Sequence, residues 1–265
     1  MTRTISNSLA GILQELELER PLLVTKELLS DLKDKYQVAS SVEVVAARLK
    51  EKGWLLPTCI QGVWEFVPAE VAGIYSTNDP LLSFRAFHAK YPKTKCALTF
   101  QTAAWIYGDS DRTPSDIHVS FEDYQQTRSL KDYVFVSVFR PNLSYLIISN
   151  VTVLARESII VQMVAKPSSV PSWASVNEWL PGFCAELSSE KVEEEMANRS
   201  PYVSQRLGYL LQSIRPDITD AIYRKTKPNS NAWFGERKQT HRYDKRFMVA
   251  DTLLPFDPRE LREWT

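Results

Sequence analysis

The loop from Gly108 to His118 comes closest to a catalytic motif in this chain. A glycine and a serine followed by acids at the start of a strand would suit nucleotidyl transfer. That chemistry needs two carboxylates one residue apart on a strand, so that both bind one pair of magnesium ions. Here the residue two positions after Asp116 is His118 rather than a second acid. Because a lone carboxylate cannot hold two metals, we interpret Asp116 as a turn or strand-start acceptor.

Other catalytic patterns are incomplete in the same way. The triplet that would best suit a nuclease, Asp31-Leu32-Lys33, lies in a predicted helix. The sequence has no Gly-x-Ser-x-Gly nucleophile motif and no glycine-rich phosphate loop. Its three cysteines and three histidines lack metal-ligand spacing. We therefore predict a protein that is not an enzyme, with no catalytic residues, no metal and no cofactor.

The composition predicts a folded protein of about two domains. Of the 265 residues, 44% are hydrophobic and 11% aromatic, which is enough to bury a core and excludes disorder as the dominant state. Thirty-two basic and thirty-two acidic residues cancel, so the chain as a whole is not a non-specific nucleic-acid binder. Any binding surface must come from local segregation of charge.

The sequence favours a cytoplasmic protein. Its first twenty residues have no apolar segment of the secretory type, because the apolar side chains are spaced by acids and amides. The apolar stretch at 145–155 is too short to span a bilayer and contains polar residues. An odd number of widely spaced cysteines argues against a disulfide framework. We expect no membrane partner.

The first 78 residues follow the order helix, helix, turn, helix, hairpin. Apolar residues at helical spacing over 9–16 predict the first helix, and Thr25 is a good cap for the second. Ser40 with Glu43 three residues later forms a capping box for the third. Two short apolar segments on either side of 59–62 then predict a hairpin. This order is typical of a winged helix-turn-helix domain.

The expected DNA-binding surface combines the third helix with the hairpin tip. Burial of the apolar face of that helix turns Ser41 and Val44 toward the bases, while neighbouring polar and basic residues serve phosphates. The predicted DNA-binding residues are Ser40, Ser41, Val44, Arg48, Lys52 and, at the hairpin tip, Gln61. Residues 1–78 hold ten acidic and eight basic residues, so a three-helix unit without a ligand stays open as an alternative.

Residues 79–265 predict a larger domain of mixed structure. Amphipathic helices are expected over 79–91 and after Thr99, and a helical section is expected in the last third of the chain. Between them, short β-branched runs predict strands at 117–121, 133–139, 145–148, 151–154 and 159–164. The predicted fold class is therefore α+β, with an N-terminal winged helix-turn-helix followed by a larger mixed α+β C-terminal domain.

Basic residues concentrate late in the chain. Over 224–246, eight basic residues face two acids, which gives a net charge of +6. Interleaved aromatic residues make this stretch suitable for a polyanion or an acidic protein surface, although a merely solvated surface is the plain alternative. This basic patch consists of Arg224, Lys225, Lys227, Arg237, Lys238, His241, Arg242, Lys245 and Arg246.

Seven short segments follow one another in an order found in a known protein family. They are LysGlyTrpLeu at 52–55, GlyValTrpGluPheVal at 62–67, CysAlaLeuThrPheGlnThrAlaAlaTrpIleTyrGly at 96–108, IleHisValSerPhe at 117–121, ArgLeuGlyTyrLeuLeuGlnSerIle at 206–214, AlaTrpPheGly at 232–235 and PheMetValAlaAspThrLeuLeu at 247–254. In these segments the chain resembles the AbiEi-type antitoxins of abortive-infection, or type IV, toxin–antitoxin systems.

The resemblance implies an antitoxin that also represses its own operon. Residues 1–78 would bind inverted repeats in double-stranded promoter DNA, and residues 79–265 would counteract a cognate nucleotidyltransferase toxin. The basic patch would then face either the toxin or DNA. Two other classes stay open: a metal-dependent enzyme acting on nucleic acid, and a winged-helix regulator whose C-terminal domain senses a small molecule.

Overall fold

The chain forms two compact units of mixed helix and strand. The computed structural model describes residues 7–71, 76, 78–127 and 130–261. One unit comprises Met1–Thr94 with Gln125–Val134, and the other comprises Lys95–Tyr124 with Phe135–Thr265. Each unit contains its own sheets and helices, so the predicted α+β class is confirmed.

The first unit has four helices and a three-stranded antiparallel sheet among its described residues. Its elements are α1 (Asn7–Glu19), β1 (Leu23–Thr25), α2 (Lys26–Lys35), α3 (Val42–Glu51), β2 (Leu55–Pro57), β3 (Val63–Phe66) and α4 (Leu82–Lys90), with a 3₁₀ turn at Ala69–Val71. The sheet order is β1-β3-β2, with Val24 opposite Trp64 and Leu56 opposite Glu65. The predicted hairpin is therefore present as β2 and β3.

One apolar core holds α1, α2 and α3 against this sheet. Ile12, Leu29 and Val45 are completely buried, and the rings of Trp54 and Phe66 stack at a centroid distance of 6.4 Å. Burying an aliphatic side chain of this size contributes about 1.5–3 kcal/mol. Packing of this kind fixes which face of each helix remains in solvent.

The start of α3 differs from the predicted capping box. Ser41 is the N-cap, and its Oγ accepts the backbone N–H of Val44 at 3.4 Å. Ser40 lies one residue earlier, and Glu43 forms an ion pair with Lys26 instead of closing the box. The predicted Ser40–Glu43 capping box is therefore wrong, because the adjacent Ser41 offers the same hydroxyl and caps the helix instead.

The structural unit extends past residue 78. Helix α4 packs against β1 and β3, which places it in the first unit although it follows the predicted boundary. Strand β1 was not predicted, because three residues between two helices are too few to show a strand period. The assignment of DNA binding to 1–78 remains a prediction.

The second unit contains two sheets and six helices among its described residues. Its elements are β4 (Cys96–Leu98), α5 (Phe100–Tyr107), β5 (His118–Phe121), β6 (Phe135–Val138), β7 (Leu146–Ile148), β8 (Val151–Val153), α6 (Arg156–Ala165), α7 (Trp173–Ala185), α8 (Ser189–Met196), α9 (Pro201–Leu211), α10 (Pro216–Thr226), β9 (Ala232–Phe234), β10 (Arg242–Asp244) and β11 (Val249–Asp251). A 3₁₀ turn of this unit lies at Pro167–Ser169, and another at Tyr124–Thr127 belongs mostly to the first unit.

The larger sheet has the mixed order β6-β5-β4-β8-β7. Helix α6 is its central support, since every residue from Glu157 to Val164 is buried. The strand predicted at 159–164 is wrong for this reason: a short apolar run that is buried on all sides looks alike in a helix and in a strand. The other four predicted strands appear as β5, β6, β7 and β8.

A buried polar network ties α6 to this sheet. The Nε2 of Gln162 donates to Ser120 Oγ at 3.1 Å and to Ser137 Oγ at 2.9 Å. Its Oε1 accepts the hydroxyl of Thr99 at 2.6 Å. Because buried polar groups are costly unless paired, this network fixes α6 relative to β5, β6 and the start of α5.

Glu195 on α8 is a second buried polar centre. Its carboxylate is fully buried and accepts the backbone N–H groups of Asn142 and Leu143 at 3.0 and 3.1 Å. It also accepts the hydroxyl of Ser158 at 2.7 Å and pairs with Arg199. One carboxylate thereby joins α8, α6 and the chain after β6.

The smaller sheet has the order β10-β11-β9, with β10 antiparallel and β9 parallel to β11. Phe234 and Phe247 are completely buried beside Tyr209 of α9 and Tyr223 of α10, respectively. Gly208 is required here, because a Cβ at that position would lie 2.2 Å from the Phe247 ring. The late basic segment is thus attached to the helices by aromatic packing.

None of the helices described here is long and apolar enough to cross a membrane.

Candidate functional site

The exposed face of α3 carries the residues predicted to read DNA. Val45, Ala46 and Leu49 are buried, so the helix turns the side chains of Ser41, Val44 and its neighbours outward. Val44 is 41% exposed. An exposed apolar side chain near the start of a helix is suited to contacts with thymine methyl groups.

The two serines differ in what they can offer. The Ser41 hydroxyl accepts the Val44 N–H as the helix cap, so its oxygen is partly committed to the helix. Its hydroxyl proton can still be donated outward. Ser40 is half-buried just before the cap.

Three cations crowd the C-terminal end of α3. Arg48, Lys50 and Lys52 are exposed, and none forms a salt bridge with another described residue. The position suits them, because basic side chains near a helix C-terminus interact favourably with the helix dipole. Cations with no acidic partner are the side chains most readily available to phosphates.

An ion pair offsets the acid at the other end of α3. Glu43 Oε1 lies 2.6 Å from the ammonium of Lys26. The hydrogen bond from Lys26 lowers the pKa of the Glu43 carboxyl to about 2, and the bond to Glu43 raises the pKa of Lys26. Both residues therefore stay charged at neutral pH, and their charges compensate each other at the start of α3.

The hairpin tip lies close to the start of α2. The backbone N–H of Lys26 donates to Gly62 O at 2.9 Å, and the ammonium of Lys90 donates to Gln61 O. Gly62 has φ of +82°, a left-handed conformation that glycine adopts without strain. The side chain of Gln61 is exposed at this tip. The structure thus brings together the hairpin tip, the first residue of α2, the last residue of α4 and, through Lys26, the start of α3.

The late basic patch is divided by the small sheet. The basic residues just before β10 and at its start lie at one end of the small sheet. The basic residues just after β10 lie at the other end, near the C-terminal end of α10. We call these the first basic group (Arg237, Lys238, His241 and Arg242) and the second basic group (Arg224, Lys225, Lys227, Lys245 and Arg246). They do not form one continuous cluster along the strand.

Several of these cations are held by acids from outside the basic stretch. Arg242 lies 2.9 Å from the fully buried carboxylate of Asp251, which also accepts the Tyr209 hydroxyl at 3.0 Å. In the second basic group, Lys225 pairs with Glu193 and Arg246 pairs with Asp220. The Arg246 guanidinium also lies over the rings of Tyr223 and Phe247, at 5.0 and 5.3 Å. These nearby acids therefore partly neutralise the net charge of +6 that residues 224–246 carry.

The loop after α5 does not assemble a catalytic centre. Asp109 pairs with Arg156, whose guanidinium lies 4.3 Å from the centre of the Tyr107 ring. Asp116 accepts the hydroxyl of Ser115 at 3.1 Å. Burial lowers the pKa of His118 to about 4, so this histidine is neutral at physiological pH. In the described part of the chain, no three acids, histidines or cysteines are grouped so that they could hold a metal.

Comparison with known proteins finds a family match within part of the chain. Residues 96–213, from β4 to just past α9, match the sequence model of the AbiEi antitoxin C-terminal domain. The crystal structure of the RV2827C protein from Mycobacterium tuberculosis is similar over 96% of this chain and 94% of that chain, with a TM-score of 0.80 and 23% sequence identity. At that identity the likeness shows a shared fold. No curated protein matches the chain.

The matched segment contains the large sheet together with α6 and the Gln162 and Glu195 networks. AbiEi antitoxins are not an enzyme family, and an antitoxin implies a toxin as its partner. Residues 96–213, which make up less than half of the chain, are thus similar to an AbiEi antitoxin C-terminal domain, and this match supports an AbiEi-type antitoxin.

Proposed function

We propose that this protein is an AbiEi-type antitoxin and that it also represses its own operon. In this proposal residues 1–78 form a winged helix-turn-helix that binds inverted repeats in double-stranded promoter DNA. The C-terminal domain counteracts a cognate nucleotidyltransferase toxin, and the protein itself catalyses no reaction. Both roles place it in the cytoplasm.

The order of elements supports the winged helix most strongly. Helix α1, strand β1, helices α2 and α3, and the hairpin β2–β3 follow one another, and the hairpin joins β1 in one antiparallel sheet. In helix-turn-helix proteins the second helix of the motif enters the major groove with its N-terminal residues at the bases. In this chain that helix is α3.

Each predicted contact then has a role that its position allows. Val44 and the Ser41 hydroxyl proton face bases, and Ser40 lies close enough to the helix start to serve a phosphate. Arg48 and Lys52 contact phosphates from the other end of α3, and Gln61 reaches the neighbouring groove or backbone from the hairpin tip. The Lys26–Glu43 pair reduces the repulsion that Glu43 alone would exert on DNA.

The basic patch is assigned to the toxin rather than to DNA. Arg242 and Arg246 are excluded from the toxin-facing set, because both hold the fold together through Asp251 and Asp220. Arg237 and Lys238 of the first basic group and Lys245 of the second are exposed. Arg237 and Lys245 form no ion pair with another described residue, and Lys238 has only an exposed pair with Glu236 at 3.7 Å, so these charges are available to an acidic surface.

Reversing those three charges is expected to separate the two activities. In cells that express the toxin, the R237E/K238E/K245E protein should fail to rescue growth, while its affinity for promoter DNA stays within about 3-fold of the parent. Growth curves and fluorescence anisotropy on promoter DNA measure the two effects. The control is K131E/K166E/K191E, which reverses three exposed lysines elsewhere. Intact rescue with collapsed DNA affinity would assign the patch to DNA, and no change in either activity would leave it a solvated surface.

A further inference from the structure

The second unit contains a cavity of about 370 Å³ that the antitoxin role does not explain. It lies between the start of α5, the loop at 112–116 and the start of α7. Its volume is near the lower end of the range of about 300–1,000 Å³ that is typical of small-molecule sites. It therefore suits a small metabolite rather than a polymer.

The cavity is lined by charges of both signs. Arg112 and Glu178 lie 3.8 Å apart and are both largely exposed, so they form a weak pair that a ligand can separate. Asp116 adds a second carboxylate, whereas His118 is neutral because burial lowers its pKa to about 4. One positive and two negative groups disfavour a phosphate dianion and favour a ligand that itself carries both signs.

Two residues of the lining carry buried polar atoms that have no hydrogen-bond partner in the described part of the chain. They are Trp179, through its indole Nε1, and Gln101, through its Oε1. Trp179 is only 2% exposed. An unpaired buried donor or acceptor is energetically unfavourable. Both atoms are closed off from solvent, so a ligand would pair with them only after the cavity wall rearranges.

The start of α5 also opens on this cavity through Phe100 and Gln101. Thr99 occupies the N-cap position, but its side chain accepts no N–H from the first turn, and its hydroxyl donates to Gln162. Phe100 has φ of +49°, a strained conformation for an aromatic residue. The first N–H groups of an uncapped helix attract a carboxylate.

We propose that this cavity binds a free α-amino acid with an apolar side chain. The ligand carboxylate lies at the start of α5 beside Arg112, and its ammonium faces Asp116 and Glu178. The side chain packs on the walls formed by Phe100, Val176 and Trp179. This would be a ligand-binding function additional to toxin neutralisation, and it does not depend on whether residues 1–78 bind DNA.

Calorimetric titration of the full-length protein tests the proposal. L-leucine and L-phenylalanine are expected to bind with a Kd of about 1 mM or tighter. N-acetyl-L-phenylalanine and L-phenylalaninamide each lack one charge and should bind at least about 10-fold more weakly, because each loses a charge-assisted hydrogen bond. Inorganic phosphate and adenosine monophosphate should give no saturable heat.

Matched variants place the binding in this cavity. Arg112→Ala should weaken L-phenylalanine binding by about 10-fold. Arg140→Ala should not, although Arg140 is similarly exposed and pairs with Glu122 at 3.7 Å, because it lies outside the cavity. Thermal melts would confirm that both variants fold. Absence of binding by both amino acids, equal binding of the blocked derivatives, saturable binding of a phosphate probe, or an unchanged affinity in Arg112→Ala would overturn the proposal.

Discussion

Replacing Glu195 with alanine is expected to destabilise the second unit by about 3–5 kcal/mol. The carboxylate is fully buried, and its removal leaves the N–H groups of Asn142 and Leu143 without their acceptor. It also leaves the Arg199 guanidinium, only 20% exposed, without its counter-ion. The loss of stability arises chiefly from these buried groups that are left unpaired, rather than from the lost side-chain volume. Urea unfolding of the full-length protein, followed by circular dichroism, measures the change.

The neighbouring acid provides a matched control. Glu194 precedes Glu195 on the same helix, but its side chain is exposed. Glu194→Ala should change the free energy of unfolding by less than about 0.5 kcal/mol. Equal stability of the two variants would show that Glu195 is not the polar centre that holds α8, α6 and the chain after β6 together.

Removing the three cations at the end of α3 is expected to weaken promoter binding by about 100-fold, since each phosphate contact to a charged group contributes at least about 1 kcal/mol. The variant is R48A/K50A/K52A. Loss of three phosphate contacts should also flatten the dependence of log K on log salt concentration by about 2.7 units. Fluorescence anisotropy of the full-length protein at several salt concentrations measures both quantities.

The matched control replaces Lys131, Lys166 and Lys191 with alanine. These lysines are exposed and lie outside α3, so the net charge falls equally while the proposed interface stays intact. An affinity loss of the same size in both variants would mean that net charge, and not the position of α3, governs DNA binding. An unchanged salt slope in R48A/K50A/K52A would exclude this docking of the helix.

Much of the first unit could be predicted from the sequence because its signals are local. Thr25 caps α2 as expected, and apolar spacing identified the faces that α1 and α3 bury. The exact cap of α3 could not be fixed, since Ser40 and Ser41 offer the same hydroxyl one residue apart. The pairing of Glu43 with Lys26 depends on the approach of two helices, which no local pattern encodes.

The second unit was less predictable because its determinants are tertiary. The apolar run of α6 fits a buried strand as well as a helix, and only the surrounding sheet decides between them. The basic stretch looked uniform in sequence, yet Arg242 pairs with a buried aspartate and Lys238 does not. The cavity beside α5 could not be predicted from the sequence either, because its lining comes from segments about 60 residues apart in the chain.

Footprinting of the full-length protein on the DNA upstream of its own gene tests the winged-helix assignment most directly. We expect protection of two inverted half-sites, and R48A/K50A/K52A should need a protein concentration about 100-fold higher for the same protection, because it loses phosphate contacts. Specific protein–DNA affinities are typically at least about 1,000-fold above the non-specific level, so the protection should survive a large excess of unrelated DNA. Protection that unrelated DNA abolishes, or that is identical in the parent and the variant, would contradict the assignment of residues 1–78 to DNA binding.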